Sequence, residues 1–390
     1  WEGMRPSPQE MSEGSAPSVL LSEVAPADSN TALSDVYTLK PLQRTYLTTT
    51  MGRVSRSFAL VVPWLEDPLQ DHVATSYLLC RVLDNIEDCA EPLHWQRERF
   101  AEFAELLSDP AIAPTRLGEW EAFPWPGSSA DERSLMTVDG GLPLWLIYST
   151  FPPRVRAILQ NWIPLMAKGM EAVLDPDQAT PLTVWAGVRM LGTAEAYNDY
   201  CYAVAGTVGG MGTELVIDHY GLTDGPAKSL LAGSEACGRA LQKTNILKDF
   251  AEDLQRRICY LPDEWLRKIG HTPLDLAGAP IDWIEDVIAD ILADLRRATA
   301  YVLDVPHRAA GYRVACLMCL LPAYETILSA ARCRAKLFTA AHHITISRET
   351  MVGCIRSAVA LAVDDEAIRR ASADFERAIR DALRAGTPAL

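Results

Sequence analysis

Two acidic clusters constrain this chain more than any other feature. One is Asp84-Asn85-Ile86-Glu87-Asp88, the other Asp249-Phe250-Ala251-Glu252-Asp253. Each reads Asp-x-x-Glu-Asp and each lies in a long apolar stretch of helical period. Aspartates four apart share one helix face, a turn from each other. Carboxylates on a buried face cost several kcal/mol unless something pairs with them. Two such clusters predict facing helices that share a cation load. Hard oxygen donors without organised His or Cys point to Mg²⁺, whose shell is completed by water and phosphate. The expectation is a helical enzyme that handles diphosphates.

The spacing extends each cluster into a stripe. Tyr77, Arg81, Asp84 and Asp88 fall on one line, with Leu78, Leu79, Val82, Leu83 and Ile86 on the other faces. Gln242, Asn245, Asp249 and Asp253 form a second line, beside Leu241, Ile246, Leu247 and Phe250. The bland alternative for the first stripe is an intrahelical Arg–Asp pair worth a few tenths of a kcal/mol. That alternative weakens once the same arrangement occurs twice. Gln242 and Asn245 suit hydrogen bonds to phosphate or to metal-bound water. Lys248, Arg256 and Arg257 lie where cations would meet a departing anionic group.

Composition limits the partners. The chain has 390 residues, 49% of them hydrophobic, enough for a large core. With 36 Lys+Arg against 51 Asp+Glu the formal charge is −15, which argues against a nucleic-acid partner. Nine cysteines are scattered through apolar segments and His342-His343 is the only histidine doublet, so packing and exposed helix positions explain them. No apolar leader is visible among the first thirty residues, and no uninterrupted apolar run reaches ~18 residues. A reducing, cytoplasmic setting is expected, with any membrane contact peripheral.

Along the chain, residues 1–36 read as a flexible tail, 37–384 as one helical domain and 385–390 as a short tail. The stretch 106–145, rich in Pro and Gly, reads as a long surface excursion. Further breaks are expected at 175–181 and 259–282, and strands are expected to be absent. Four Gly in seven residues, Gly206 to Gly212, predict either tight helix packing or close passage of a long apolar chain. Ser55-Arg56-Ser57-Phe58 offers hydroxyls and a guanidinium at a helix start.

Taken together these segments resemble the squalene/phytoene synthase family of head-to-head prenyl transferases. The likeness runs from about Ser55 to Arg348: Ser-Arg-Ser-Phe, Tyr77-x-x-x-Arg81-x-x-Asp84-x-x-Glu87-Asp88, Tyr200-Cys-x-x-Val-Ala-Gly206, then Leu241-Gln-Lys-Thr-Asn-Ile-x-x-Asp249-x-x-Glu252-Asp253. The last segment and Cys319-Leu-Leu-Pro322 look most like squalene synthases of a soluble bacterial type. The resemblance implies an all-α, single-domain isoprenoid synthase fold around an apolar cavity. It implies two molecules of farnesyl diphosphate joined through presqualene diphosphate, then reduced by NADPH to squalene. It assigns Mg²⁺ to Asp84, Asp88, Asp249 and Asp253. It assigns catalysis to Tyr200, Tyr77 and Arg81. Substrate binding falls to Arg56, Ser55, Phe58, Gln242, Asn245, Lys248, Arg256 and Arg257, and cofactor binding to Arg348.

Three departures accompany it. Cys89 follows the first cluster where many relatives carry another acid. Ile258 stands where the family usually places Arg, leaving Arg256 or Arg257 to substitute. The basic cluster linked to NADPH is thinned to Arg348 in Thr345-Ile-Ser-Arg348. Alternatives therefore stay open: a phytoene or dehydrosqualene synthase, or a presqualene diphosphate synthase that does not reduce. A non-catalytic assembly factor of the same fold should have lost its acidic clusters, and both are complete here.

Overall fold

The computed structural model describes residues 39–55, 57–174, 182–339 and 343–385. The expectations for the 1–36 tail, Arg56, the 175–181 break, His342 and residues 386–390 fall outside these. Helices dominate the rest, as the periodicity predicts. The N-terminal half comprises α1 (Pro41–Val54), α2 (Phe58–Val61), α3 (Leu69–Glu87), α4 (Leu93–Ser108), α5 (Ala113–Glu121), α6 (Ala130–Ser134), α7 (Val138–Ser149) and α8 (Pro153–Leu174). The middle holds α9 (Ala194–Cys201), α10 (Thr207–Tyr220), α11 (Asp224–Gly233), α12 (Glu235–Lys248), α13 (Phe250–Gln255) and α14 (Asp263–Lys268). The C-terminal part holds α15 (Ile281–Asp304), α16 (Ala310–Arg332), α17 (Arg348–Leu361) and α18 (Asp365–Arg384).

α3 buries Leu78, Leu79, Val82, Leu83 and Ile86 completely, so its polar stripe is left facing one cleft. α15 shows the i, i+3, i+4 pattern of a core-facing helix: Ile284, Val287, Ile288, Ile291, Leu295 and Val302 are all buried. α16 is apolar on nearly every side and lies in the centre. The stretch His307–Arg332 is long and apolar enough to cross a membrane, but 78% of its most apolar window is buried inside the protein. Arg313 on this helix is fully buried. Its Nε donates to Ala362 O at 2.6 Å, its Nη1 to Val305 O at 2.7 Å, and its Nη2 to Asp365.

Two expectations fail. The 106–145 stretch is not a surface loop: after a short 3₁₀ turn it forms α5, α6 and most of α7. Pro110 and Pro114 sit in the first turn of helical segments, where the missing N–H costs nothing. A Cβ on Gly140 would stand 2.1 Å from the Ser134 carbonyl oxygen, so this glycine permits close packing rather than a break. Trp120 and Trp125 are buried, their ring centroids 5.7 Å apart. Strands also occur. β1 (Leu182–Trp185) and β2 (Val188–Leu191) make an antiparallel hairpin, and β2 pairs in parallel with β3 (Ile258–Cys259), Arg189 opposite Ile258. Strands of two to four residues are too short to show an alternating pattern.

The glycine run resolves toward packing. It begins in a five-residue π-helical turn, Tyr202–Gly206, between α9 and α10. A Cβ on Gly209 would lie 2.3 Å from the Ser234 carbonyl oxygen, and one on Gly210 2.3 Å from the Trp162 ring. One on Gly206 would meet the Tyr202 ring at 2.9 Å. Gly209 and Gly210 let α10 approach α8 and the start of α12, and Gly206 seats the π-helical turn against Tyr202 and Glu235; the expected passage of an apolar chain along them is not what fixes their identity.

Candidate active site

Both acidic clusters lie where helices end. Asp88 caps the C-terminus of α3, and Asp249 caps α12 at φ −96°, ψ 9° before the chain re-enters α13. The C-terminal end of a helix carries partial negative charge, so Asp88 adds to it rather than offsetting it, whereas Glu252 and Asp253 fall in the first turn of α13, the end that favours carboxylates. The two clusters meet: Arg256, just after the second, lies 3.8 Å from Asp88 of the first, and the charge of Asp88 acts on Asp253.

The electrostatics report a shortage of positive charge. Desolvation, with Arg81 opposing it and Asp88 adding to it, pushes Asp84 up to about 6. Desolvation and then Asp249 push Asp253 up to about 7. Asp88 and Asp249 are raised as well, again mainly by desolvation. Carboxylates that resist ionisation together are poised to accept a cation. Among the described residues no group of three or more His, Cys, Asp or Glu side chains is gathered closely enough to hold a metal ion. The donor chemistry fits Mg²⁺, which keeps several waters and takes one or two carboxylates plus substrate phosphates.

The cations are partly engaged. Lys248 Nζ is 3.2 Å from Asp249. Arg81 donates to Asp84 at 3.0 Å and, through its other edge, to Glu132. Gln242 and Asn245 stand on α12 with no hydrogen bond to their side-chain amides among the described residues; Asn245 is exposed. Lys243, between them in sequence, faces the other way: it is buried against Asp290 at 2.7 Å and Asp294 at 2.8 Å of α15.

The apolar end of the α3 stripe is also assembled. Phe58 stacks on Tyr77 with centroids 4.8 Å apart. Ser55 Oγ accepts from Phe58 N at 3.1 Å and stands close enough to the Tyr77 hydroxyl to act on its ionisation. Tyr200, 5% exposed, stacks on Tyr260. The structure thus groups Tyr77, Arg81, Asp84, Asp88, Lys248, Asp249, Asp253 and Arg256. Arg348, the exposed first residue of α17, has no ion pair or hydrogen bond from its guanidinium among the described residues, while His343, five residues earlier, lies 3.6 Å from Glu252 of the second cluster. Arg257 sits in a left-handed turn at φ 61°, its carbonyl accepting from Arg189 N, its side chain exposed.

Sequence reasoning missed Glu132, Tyr260 and Arg189. Glu132 lies in the segment read as a loop, yet Ser129-x-x-Glu132 is a capping box that marks the start of α6. Tyr260 follows β3, and Arg189, on β2, is close enough to act on the charge of Glu87. Only sheet pairing brings these two to the cleft, and no spacing rule signals it.

Comparison with known proteins places the chain in a family. The family model for squalene/phytoene synthases matches residues 51–350. The chain belongs to the squalene/phytoene synthase family. A squalene synthase of Dictyostelium discoideum is 31% identical over 228 residues, 57% of this chain and 48% of that protein. One of Candida albicans is 28% identical over 225 residues, 55% of this chain and 44% of the relative. The matched region therefore spans about half the length of these curated relatives. The solved complex of TcSQS with BPH1237 covers 88% of this chain and 98% of its own at TM-score 0.68 and 20% identity. A dehydrosqualene synthase in complex with ligand gives TM-score 0.55 at 19% identity, over 82% of this chain and 96% of its own. These similarities establish the all-α isoprenoid synthase fold, and the family is one of enzymes.

Proposed function

We propose that this protein is a squalene synthase: it joins two molecules of farnesyl diphosphate head to head through presqualene diphosphate, and squalene is the product in the presence of NADPH. The observation that carries the condensation is the pair of cation-deficient aspartate clusters meeting at Asp88, Asp253 and Arg256. Asp84, Asp88, Asp249 and Asp253 would hold Mg²⁺. Bound there, the metal would supply Lewis-acid neutralisation of charge on the departing diphosphate.

The chain's own groups divide the remaining work. Arg81, Lys248 and Arg256 hold phosphate oxygens, with Arg81 exchanging a carboxylate partner for a phosphate. Gln242 and Asn245 donate from their free amides. Ser55, Phe58 and Tyr77 form a wall that orients the prenyl chain and excludes water, which would quench a carbocation to an alcohol. Ring closure in the first half-reaction needs loss of a proton. The Tyr200 oxygen takes it, and the released diphosphate is the final acceptor.

NADPH stands differently. Arg348, exposed at a helix start, is the one cation left of the basic cluster expected to meet the dinucleotide. Squalene as the end product rests on the similarity to proteins named squalene synthase. The lone Arg348 favours a second reading, a non-reducing head-to-head synthase, in keeping with a bifunctional lycopene cyclase/phytoene synthase of Podospora anserina among the relatives, 27% identical over 239 residues. One experiment separates them: purified protein with farnesyl diphosphate and Mg²⁺, with and without NADPH, and products identified by mass. The expected result is presqualene diphosphate without NADPH and squalene with it. Indifference to NADPH selects the second reading, and no coupled product at all refutes both.

A further inference from the structure

Tyr200 and Tyr260 come from distant parts of the chain and form one unit. Tyr200 is in the last turn of α9, Tyr260 directly after β3. Their rings lie face to face, centroids 4.7 Å apart and planes 9° apart. Their hydroxyls stand close enough for each to act on the ionisation of the other. The backbone around them is clamped as well. Glu264 N donates to Gly192 O at 3.1 Å, and the Glu264 carboxylate accepts from Ala194 N at 3.0 Å at the start of α9. Trp265 meets Tyr197, one turn before Tyr200, edge to face at 5.3 Å. Trp185 of the hairpin donates to Asp263 at 2.8 Å. The segment 260–265 is thus fastened along the length of α9, and the tyrosine pair is its last contact.

We propose that Tyr260 is a positioning residue for Tyr200 in head-to-head prenyl coupling. The proposal rests on the function proposed above. Tyr200 would meet the cationic intermediate formed when the first allylic diphosphate adds to the second prenyl chain. There a C–H bond breaks, its electron pair closes the cyclopropane, and the proton passes to the Tyr200 oxygen and on to the released diphosphate. A phenol that performs this must present a lone pair in a fixed direction, but a free hydroxyl rotates and a free ring swings about χ1. The Tyr260 stack fixes the ring, and its neighbouring hydroxyl would fix the rotor. Correct aim matters more here than in most proton transfers, because an unaimed base leaves the cation alive for capture by residual water.

Tyr260→Phe keeps the stack and removes the hydroxyl contact. With farnesyl diphosphate and Mg²⁺ its kcat should fall by about tenfold or more with KM little changed. The ratio of cyclopropyl diphosphate to prenyl alcohol should fall with it, at an unchanged thermal midpoint. Tyr260→His, which restores a ring with a polar donor, should recover part of the loss. The deciding variant is Tyr200→Phe/Tyr260→Phe: if Tyr260 acts through Tyr200, the double variant is no slower than Tyr200→Phe alone. Wild-type kcat and product ratio in Tyr260→Phe, or losses that multiply in the double variant, overturn the role of Tyr260. A wild-type protein that couples no prenyl diphosphate overturns the underlying function instead.

Discussion

At the scale of single residues, the cleft is defined by carboxylates held against their preference. Replacing Asp84 or Asp249 by Asn should lower turnover on the order of 100-fold or more, because each removes charge that balances the leaving group in the transition state. Near-wild-type rates in both variants would show that the stripes do not hold metal. The raised acidities also set a pH dependence. Asp84 at about 6 and Asp253 at about 7 bind a proton more tightly in the folded chain than in the unfolded one. Between about pH 4 and 7 unfolding therefore releases protons, and their contribution to stability falls as pH rises through that window. The metal-free protein should lose roughly 2–4 °C of melting temperature from this source between pH 5.5 and 8. Asp253→Asn should flatten the slope, and Mg²⁺ with inorganic diphosphate should reverse it. A slope unchanged in Asp253→Asn by calorimetry would contradict the assignment.

Among elements, α12 is the most heavily committed. One side carries Gln242, Asn245 and Asp249 into the cleft. The other is locked by Lys243 to Asp290 and Asp294 of α15, with Lys243 also lying 5.2 Å from the Tyr197 ring centroid. Its glycine, Gly238, lets the π-helical turn come so close that a Cβ would sit 2.0 Å from the Ala205 carbonyl oxygen. Gly238→Ala should therefore cost about 1–3 kcal/mol, and Gly210→Leu, which drives a side chain into Trp162, at least as much. Urea titration measures both. A stable Gly210→Leu variant with altered prenyl-chain preference would return the run from Gly206 to Gly212 to the role of channel wall. The notion that these glycines serve a substrate channel came from their density alone. Density signals close approach without saying what approaches, and here it is neighbouring helices.

The whole molecule shows why some of this was legible in the sequence and some was not. The acidic stripes were readable because helical spacing fixes which residues share a face, so Tyr77, Arg81, Asp84 and Asp88 had to align. The all-α class followed from the same period. Glu132 and α6 were hidden because prolines and glycines that start or crowd helices look like breakers. Tyr260 and Arg189 reach the cleft through β2–β3 pairing, a contact between segments some seventy residues apart that no local pattern encodes. Arg313 was equally silent, and it carries a testable role: Arg313→Leu should leave the Val302, Val305 and Ala362 carbonyls without their donor and Asp365 with only His307, costing about 2–4 kcal/mol by denaturant titration. An equally stable Leu variant would make the buried guanidinium dispensable. Its wider consequence concerns the nascent chain. Before its neighbours fold, the α16 stretch is a segment that a lipid bilayer could accept as readily as a protein interior, so the two solvents compete for it. The guanidinium finds all its acceptors only in the protein: the carbonyls before α16, the end of α17 and the first residue of α18. In a bilayer, standing in the first turn of α16, it would reach for the interface and leave those carbonyls and Asp365 behind. Only the folded interior satisfies the apolar stretch and its guanidinium together.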